Sequence, residues 1–156
     1  MLNYMNKYVK DCMIRAIALK KCVPVTRLLL QFKDYGERFT LLAVNANSDL
    51  TVKSALITGK KFNAPIIFIT TLNQVDVDGG YTEWNQYEFV NVIYKERKKI
   101  DFEGPIILAS DHYGPWLKDK HVAEGWSYEE SVEWVKKSIE ACIDAGYDML
   151  HIDMAR

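Results

Sequence analysis

The chain has few of the residues that define several large classes of protein. Its 156 residues include only 3 cysteines and 4 prolines, and 20 basic residues nearly balance 21 acidic ones, for a formal charge of −1. The cysteines, at positions 12, 22 and 142, are odd in number and match no zinc-ribbon spacing, so a reducing cytoplasm is the simplest setting. Because phosphate binding needs a net basic face, we expect no nucleic-acid partner.

Long apolar runs and glycine-rich phosphate loops are also missing. The longest apolar run, Ala64 to Ile69, is far shorter than the roughly 18 residues of a membrane span, so no membrane partner is expected. The pair Gly79-Gly80 lacks the third glycine of a dinucleotide-binding loop, and no glycine-lysine-serine/threonine triplet occurs. The remaining composition, 49% apolar and 12% aromatic residues, predicts one soluble globular domain with a substantial core.

From residue 40 onwards, short apolar runs alternate with amphipathic helical runs, which is typical of a parallel sheet covered by helices. The strand starts lie about 25, 40 and 44 residues apart, so the connections are long enough for helical crossovers. The predicted strands are Thr40 to Val44, Pro65 to Thr70, Pro105 to Ser110 and Met149 to Asp153.

Three helices are expected in the gaps between these strands. One follows the first strand around Leu50 to Gly59, and a second ends at the charged stop Lys95 to Lys99. The third runs from Ser127 to Ala145, because Ser127 and Glu130 form a capping box and Gly146 supplies a left-handed stop. The apolar face of this third helix is expected to consist of Tyr128, Val132, Val135, Ile139 and Cys142.

The order of elements allows two closures of the sheet. One is an open, doubly wound sheet, and the other is part of an eight-stranded β/α barrel, which needs around 250 residues. Before these strands, residues 1–39 read as an N-terminal helical extension. Its buried stripe would be Met5, Val9, Met13 and Ile17.

Polar residues follow each predicted strand, where parallel α/β proteins bind their ligands. Asp111-His112 after the third strand combines a potential metal ligand with a potential proton carrier, and both can serve one site only if the strand ends there. The alternative is an aspartate that caps a turn and a histidine packed on an aromatic ring. His151 and Asp153 share one face of the fourth strand, unless His151 is a core histidine.

Two loops also have more than one interpretation. Gly79-Gly80-Tyr81 is either a tight turn or a cradle for a substrate. His121 lies in a charged loop with Lys118 and Lys120 and is expected at the surface, unless the loop folds over the site and the lysines hold an anionic sugar or phosphate.

Taken together, four segments resemble the class II tagatose-bisphosphate aldolase accessory, or non-catalytic, subunit family. They are Asn73-Gln74-Val75, Gly79-Gly80-Tyr81-Thr82, Asp111-His112-Tyr113-Gly114-Pro115 and His151-Ile152-Asp153, in this order. The resemblance covers residues 40–156 and implies a TIM-barrel fold, of which this chain would be the N-terminal half with about four β/α units. The expected fold class is therefore α/β, an incomplete parallel (β/α)8 barrel.

The resemblance also implies a chemistry and a set of residues. A divalent metal, usually zinc, would polarise a ketose or ketose-phosphate carbonyl, with His112 as a metal ligand and Asp111 as the acid/base near the C4 hydroxyl. The expected substrate-binding residues are Asn45, Asn47, Asn73, Gln74, Gly80, Tyr81, His151 and Asp153. The family's usual cysteine and histidine after the first strand appear here as Asn45 and Asn47.

Three functions follow from the resemblance. The first is an aldolase-type subunit that acts on, or supports cleavage of, a ketose bisphosphate, with little turnover by the isolated chain because strands five to eight and their metal ligands are missing. The second is a metal-dependent ketose 4-epimerase, since both chemistries act next to C4. The third is a non-enzymatic partner that stabilises a catalytic class II aldolase chain through exposed apolar surface. Self-association of two half-barrels into a homo-oligomer is a further possibility.

Overall fold

The structure is a computed structural model that describes residues 41–154, so the expected extension over residues 1–39 lies outside the described residues. One sheet of four parallel strands, in the order β1-β2-β3-β4, forms its centre. Since strand order follows chain order, the sheet has the arrangement of successive barrel units and lacks the reversal that marks a doubly wound sheet. The strands are β1 (Ala43–Val44), β2 (Ile66–Thr70), β3 (Ile106–Tyr113) and β4 (Met149–Ile152). The predicted parallel α/β fold is confirmed.

The three longer helices begin at side-chain caps and end in left-handed residues. The capping box predicted from Ser127 and Glu130 is present, and Gly146 ends that helix with a φ of 88°. Asn85 and Glu88 form a second box, which the sequence analysis did not identify. The α-helices are α1 (Asp49–Phe62), α2 (Gln86–Ile100), α3 (Asp119–Ala123) and α4 (Tyr128–Ala145).

Three helical details differ from the sequence predictions. Helix α2 does not stop at Lys95 but continues to Ile100, because Glu96 and Ile100 keep its inner face packed and basic residues are favourable in a last turn. Helix α3 and a short 3₁₀ helix at Gly80–Thr82 were not predicted. None of the helices within residues 41–154 is long and apolar enough to cross a membrane.

The main core lies between the sheet and helices α1 and α2. Phe68 of β2 meets Phe89 of α2 edge to face, with ring centroids 6.4 Å apart. Leu56, Ile93 and Leu108 complete the contact and are at most 1% exposed. Burial of each such side chain stabilises the fold by about 1.5–3 kcal/mol, so this layer fixes the sheet that carries the polar strand ends.

Helix α4 packs by a more polar face than its sequence predicts. Val135 and Cys142 are buried as expected, but Tyr128 is 45% exposed and is not part of the buried stripe. Ser131 and Ser138 are buried instead, because both hydroxyls are hydrogen bonded inside the protein. The helix therefore delivers hydrogen-bonding groups, as well as apolar ones, to the sheet.

Strand β3 contains an irregularity at its carboxyl end. Ser110 pairs with Leu150 and Tyr113 pairs with Ile152, so β3 takes one more residue than β4 over the same span. His112, within this bulge, has a φ of 55°, a left-handed conformation that non-glycine residues seldom adopt. The sequence analysis expected the strand to end at Ser110. The strand instead continues to Tyr113, and the bulge interrupts the alternation of side chains between the two faces of the sheet.

Candidate metal centre

Four ionisable side chains meet where β3 and β4 end. Asp111 Oδ1 lies 2.8 Å from His151 Nδ1, and Asp153 Oδ2 lies 2.6 Å from His112 Nδ1. The two imidazole rings are 5.3 Å apart between centroids. The bulge explains how the neighbours Asp111 and His112 both reach this site, since a regular strand would turn them to opposite faces. The sequence analysis named all four residues, and the structure brings them together.

The backbones of β3 and β4 fix this arrangement. The Asp153 amide donates to the Tyr113 carbonyl at 3.2 Å, and the His151 amide donates to Ser110 Oγ at 3.2 Å. At Gly114, a Cβ atom would lie only 1.6 Å from the Asp153 carbonyl oxygen. Only glycine therefore permits the close approach that places the Asp153 carboxylate against His112.

Each carboxylate determines which nitrogen of its partner ring carries a proton. A carboxylate accepts hydrogen bonds, so the short contacts to Nδ1 favour a proton on Nδ1 of both His112 and His151. The His112 backbone amide also approaches His151 Nδ1, but at 3.5 Å this contact is too long to decide the tautomer. In the neutral rings, the lone pairs of both Nε2 atoms remain available to bind a ligand.

The electrostatics of the site favour a cation. The hydrogen bond to Asp153, and then the charge of Asp111, raise the pKa of His112 above its ordinary value of 6.5. With neutral imidazoles the four groups carry a formal charge of −2, which a divalent cation would neutralise. Both imidazole side chains are 54% exposed, so the site is accessible from solvent.

The donor atoms fit a metal ion. One ligand atom from each of Asp111, His112 and His151 can be chosen so that all lie within 4.8 Å of one another. His112 Nε2 lies 3.6 Å from Asp111 Oδ2, so the ring and the carboxylate face the same space. Two imidazole nitrogens and one carboxylate oxygen form a donor set typical of catalytic zinc, which leaves further positions for water or substrate.

The predicted substrate-binding asparagines lie in the loops that follow β1 and β2. Asn45 and Asn47 are exposed beyond β1, and Asn47 Oδ1 accepts a hydrogen bond from Thr51 Oγ1 at the start of α1. Asn73 Oδ1 accepts from the Asp119 amide at 2.8 Å, which connects the loop after β2 to α3. All three lie beyond the carboxyl ends of their strands, and Asn47 and Asn73 form hydrogen bonds outside the cluster of four ionisable side chains.

The remaining predicted substrate residues belong to a tight loop. Gln74 is buried and its Nε2 donates to the Ala46 carbonyl at 2.6 Å. Gly80 has a φ of 53°, and a Cβ there would lie 2.4 Å from the Gln74 carbonyl oxygen. The turn interpretation of Gly79-Gly80-Tyr81 accounts for this packing, whereas Tyr81 is 65% exposed and accessible to a ligand.

A second polar cluster, which the sequence analysis did not anticipate, lies beneath the loops. Lys118 Nζ is 2.7 Å from Asp76 Oδ2, and Asp76 also accepts from Trp134 Nε1 and Ser138 Oγ. His121 is buried, contrary to the expectation that it lies at the surface, and stacks on Trp126 with ring centroids 4.3 Å apart. Lys118 is buried as well. The tryptophans around this charged loop are a sequence signal for its burial, because aromatic rings can pack against the apolar stem of a buried lysine.

Fold and site together define a sequentially ordered parallel α/β protein with a candidate metal centre at the carboxyl edge of its sheet. The sequence model for the family described as D-tagatose-1,6-bisphosphate aldolase subunit GatZ/KbaZ-like matches residues 27–156. The chain belongs to this family, as the resemblance indicated.

Individual relatives agree with this assignment. The chain is 30% identical over 121 residues to the D-tagatose-1,6-bisphosphate aldolase subunit GatZ of Salmonella paratyphi B, covering 76% of this chain and 27% of the relative. The subunit of the same name from Escherichia coli strain SMS-3-5 is 30% identical over 119 residues, with the same coverage. The chain thus spans about a quarter of the length of these relatives.

A solved structure shows the same fold. A probable tagatose 6 phosphate kinase from Sinorhizobium meliloti 1021 superposes with a TM-score of 0.64 at 26% sequence identity. The superposition covers 74% of this chain and 29% of that chain.

Proposed function

We propose that this chain contributes a metal-assisted site to an aldolase-type subunit that handles a ketose phosphate or bisphosphate. The observation that supports this most strongly is the meeting of two carboxylate-imidazole pairs, Asp111 with His151 and Asp153 with His112, at the carboxyl edge of β3 and β4. Parallel β/α proteins bind substrates at this edge, and the relatives carry the name of a tagatose-bisphosphate aldolase subunit.

In this proposal, His112, through Nε2, and His151 hold a divalent cation, zinc in the first instance. When bound, such a cation polarises a ketose carbonyl and stabilises the negative charge that develops on its oxygen. Asp111 lies between the two rings, so it would carry the proton of the substrate hydroxyl near C4. Its carboxylate is 34% exposed, which leaves it within reach of a substrate as well as of the rings.

The alternative product of the same site is a 4-epimer of the ketose. Cleavage and epimerisation both remove a proton next to C4, so the four side chains would serve either reaction. The two reactions are separated by their products from tagatose 1,6-bisphosphate. Aldol cleavage releases triose phosphates, whereas epimerisation yields fructose 1,6-bisphosphate and no triose.

A non-catalytic role is favoured by a different observation. The edge of the described sheet at β4 exposes large apolar side chains, and exposed apolar surface is typical of sites that contact a partner. We infer that a catalytic aldolase chain is a candidate occupant of this surface, because the relatives are named as subunits. These side chains are Met149, Ile152 and Met154 in and after β4, with Ile143 near the end of α4.

The cellular setting we infer is the cytoplasm. Cys142 is a free, buried thiol, and its burial raises its pKa to about 12, so it remains protonated and unreactive at neutral pH. This is compatible with a reducing compartment and with the sugar metabolism named for the relatives.

The first experiment tests the metal site in the 156-residue chain. After treatment with chelator, the protein is titrated with zinc, and saturable binding of one equivalent is expected. The double variant His112→Ala and His151→Ala should lose this binding, and Asp111→Asn should weaken it. Asp144→Asn removes the same charge from an exposed position in the last turn of α4 and serves as the matched control. Equal zinc binding by the double variant would refute the proposed site.

The second experiment distinguishes catalysis from support of a partner. The chain is added to a catalytic class II tagatose-bisphosphate aldolase chain, and release of triose phosphate is measured. If the chain contributes to catalysis, the double variant Asp111→Asn and His112→Ala abolishes the increase in rate that the unmodified chain gives. If it acts only as a stabilising partner, the variant and the unmodified chain give the same increase.

A further inference from the structure

Asp153 was expected to line a substrate site, but its contacts indicate a different role. Its Oδ2 lies 2.6 Å from His112 Nδ1, and its side chain is only 16% exposed, whereas the imidazole is 54% exposed. A hydrogen bond between an imidazole and a shielded carboxylate is stronger than one in open solvent. Asp153 is thus placed to act on the histidine ring.

We propose that Asp153 is a positioning residue that holds His112 as the Nδ1–H tautomer and turns its Nε2 towards the space shared with Asp111 and His151. The inference deepens the proposed function and rests on it, because Nε2 matters only if it binds a ligand. A carboxylate or carbonyl that accepts the second N–H of a ligating histidine is a common feature of metal sites, and removing such a partner typically costs 10–100-fold in affinity.

The two carboxylates of the site have different surroundings, which supports this division of roles. Asp111 contacts His151 Nδ1 with Oδ1 and faces His112 Nε2 with Oδ2, so it is directed into the shared space. Asp153 approaches His112 from the Nδ1 side of the ring, away from that space. Asp111 can therefore contact a ligand and move a proton, while Asp153 acts through His112.

Backbone contacts with β3 hold Asp153 in place. Its amide is hydrogen bonded to the Tyr113 carbonyl, and the absence of a side chain at Gly114 lets its own carbonyl pass close by. On the other side, the left-handed backbone of His112 turns the ring towards β4. A non-glycine residue adopts this conformation only when its surroundings maintain it, and such strain is concentrated at functional sites.

The tautomer can be measured directly in the metal-free chain. The ¹⁵N chemical shifts of the histidine rings at pH 8.5 distinguish a protonated Nδ1 from a protonated Nε2. We expect His112 to be mainly the Nδ1–H form in the unmodified protein. In Asp153→Ala, we expect it to shift towards the Nε2–H form that imidazole prefers in water. Asp144→Asn should leave the shifts unchanged.

Zinc titration of the same proteins supplies the second readout. If the proposed metal site is correct, Asp153→Ala should bind zinc 10–100-fold more weakly than the unmodified chain. Asp153→Asn, which keeps the shape of the side chain and one acceptor oxygen, should lie between the two. It also replaces the alanine variant if backbone amide spectra show that Asp153→Ala does not fold.

The outcomes separate the two claims. A His112 tautomer unchanged by loss of the Asp153 carboxylate, in a folded variant, overturns the positioning role whatever the zinc result. Unchanged zinc affinity despite an altered tautomer also overturns it, because the tautomer would then not govern the ligand. If the unmodified chain binds no zinc while the tautomer shifts as expected, the proposed function fails, but the control of the tautomer by Asp153 stands.

Discussion

Residues 41–154 contain two clusters of charged and imidazole side chains, and they differ in what surrounds them. In the cluster at the ends of β3 and β4, both imidazole side chains are 54% exposed. In the cluster beneath the loops, the side chains of Lys118 and Asp76 are 5% and 0% exposed. Similar residue types thus occur in an open site and in a closed one.

The ion pair of the closed cluster, Lys118 with Asp76, is satisfied by the protein itself. Asp76 accepts hydrogen bonds from Lys118, Trp134 and Ser138, and Lys118 Nζ also donates to the Leu72 carbonyl at 3.0 Å. These contacts connect the loops after β2 and β3 to α4. In the open cluster, both imidazole side chains are more than half exposed. The buried network thus connects the loops, while the exposed cluster is the one that we propose to bind a ligand.

The largest expected effect follows from opening the closed cluster. Lys118 Nζ pairs with Asp76 and with Asp78, each at 2.7 Å. Asp76→Ala removes the fully buried one of these two carboxylates and also the acceptor for Trp134 and Ser138, so the free energy of unfolding should fall by about 3–5 kcal/mol. Urea unfolding followed by circular dichroism measures this loss. The double variant Asp76→Leu and Lys118→Met removes both charges and should lose less. A loss below 1 kcal/mol for Asp76→Ala would mean that the network does not stabilise the loops.

A substitution next to the open cluster should affect both stability and ligand binding. In Gly114→Ala, the new Cβ would clash with the Asp153 carbonyl, so β4 must move away from β3. We expect a loss of about 1–3 kcal/mol in stability, typical of overpacking, together with weaker zinc binding. Urea unfolding and zinc titration test the two effects. Gly125→Ala is the control for backbone freedom, since its φ is 67° but no atom lies within 4 Å of an added Cβ. Unchanged zinc affinity in Gly114→Ala would contradict the role of this contact.

A smaller effect is expected at the start of α4, the helix that carries Trp134 to Asp76. Ser127 Oγ accepts a hydrogen bond from the Glu130 amide. Ser127→Ala should therefore lower the free energy of unfolding by about 1 kcal/mol, which is typical of the loss of an N-cap side chain. Thermal unfolding and zinc titration measure the outcome. Zinc affinity should not change, because the cap lies on the helical layer. A change in affinity would show that the two clusters are coupled.

The pH dependence of stability should carry a still smaller contribution from His121. Burial, and then the positive charge of Lys118, lower the pKa of His121 below its ordinary value of 6.5. The negative charges of Asp76 and Asp78 oppose this shift, and Lys120 adds to it. The folded state therefore disfavours protonation. This contribution to stability is complete above pH 6.5 and is lost as the pH falls through the lowered pKa.

Urea unfolding between pH 8 and pH 5 tests this dependence. The unmodified chain should lose more stability on acidification than His121→Gln, which cannot titrate. Equal slopes for the two proteins would show that His121 is accessible to protons in the folded state and does not belong to the closed cluster.

Much of the fold follows from local sequence patterns. The four strands lie within one to three residues of their expected bounds where the structure describes them, since apolar runs and proline starts report burial directly. The ends of α4 followed from Ser127, Glu130 and Gly146 alone. The composition of the open cluster was also predictable, because residues that follow parallel strands converge at one edge of the sheet.

Other features depend on contacts between distant parts of the chain. Lys118 and His121 lie in a charged segment that is typical of solvated loops, and they are buried because Asp76, 42 positions before Lys118, and the tryptophans provide partners. The left-handed backbone at His112 and the role of Asp153 depend on the register between β3 and β4. A local sequence pattern does not specify the register between two strands that are distant in the chain.

The most direct test of the account is the response of the three histidines to zinc in the unmodified chain, followed by ¹⁵N chemical shifts. One equivalent of zinc should shift a ring nitrogen of both His112 and His151 and leave the buried His121 unchanged. Zinc that leaves His112 and His151 unaffected, or that shifts only one of the two, would contradict the existence of a shared metal centre.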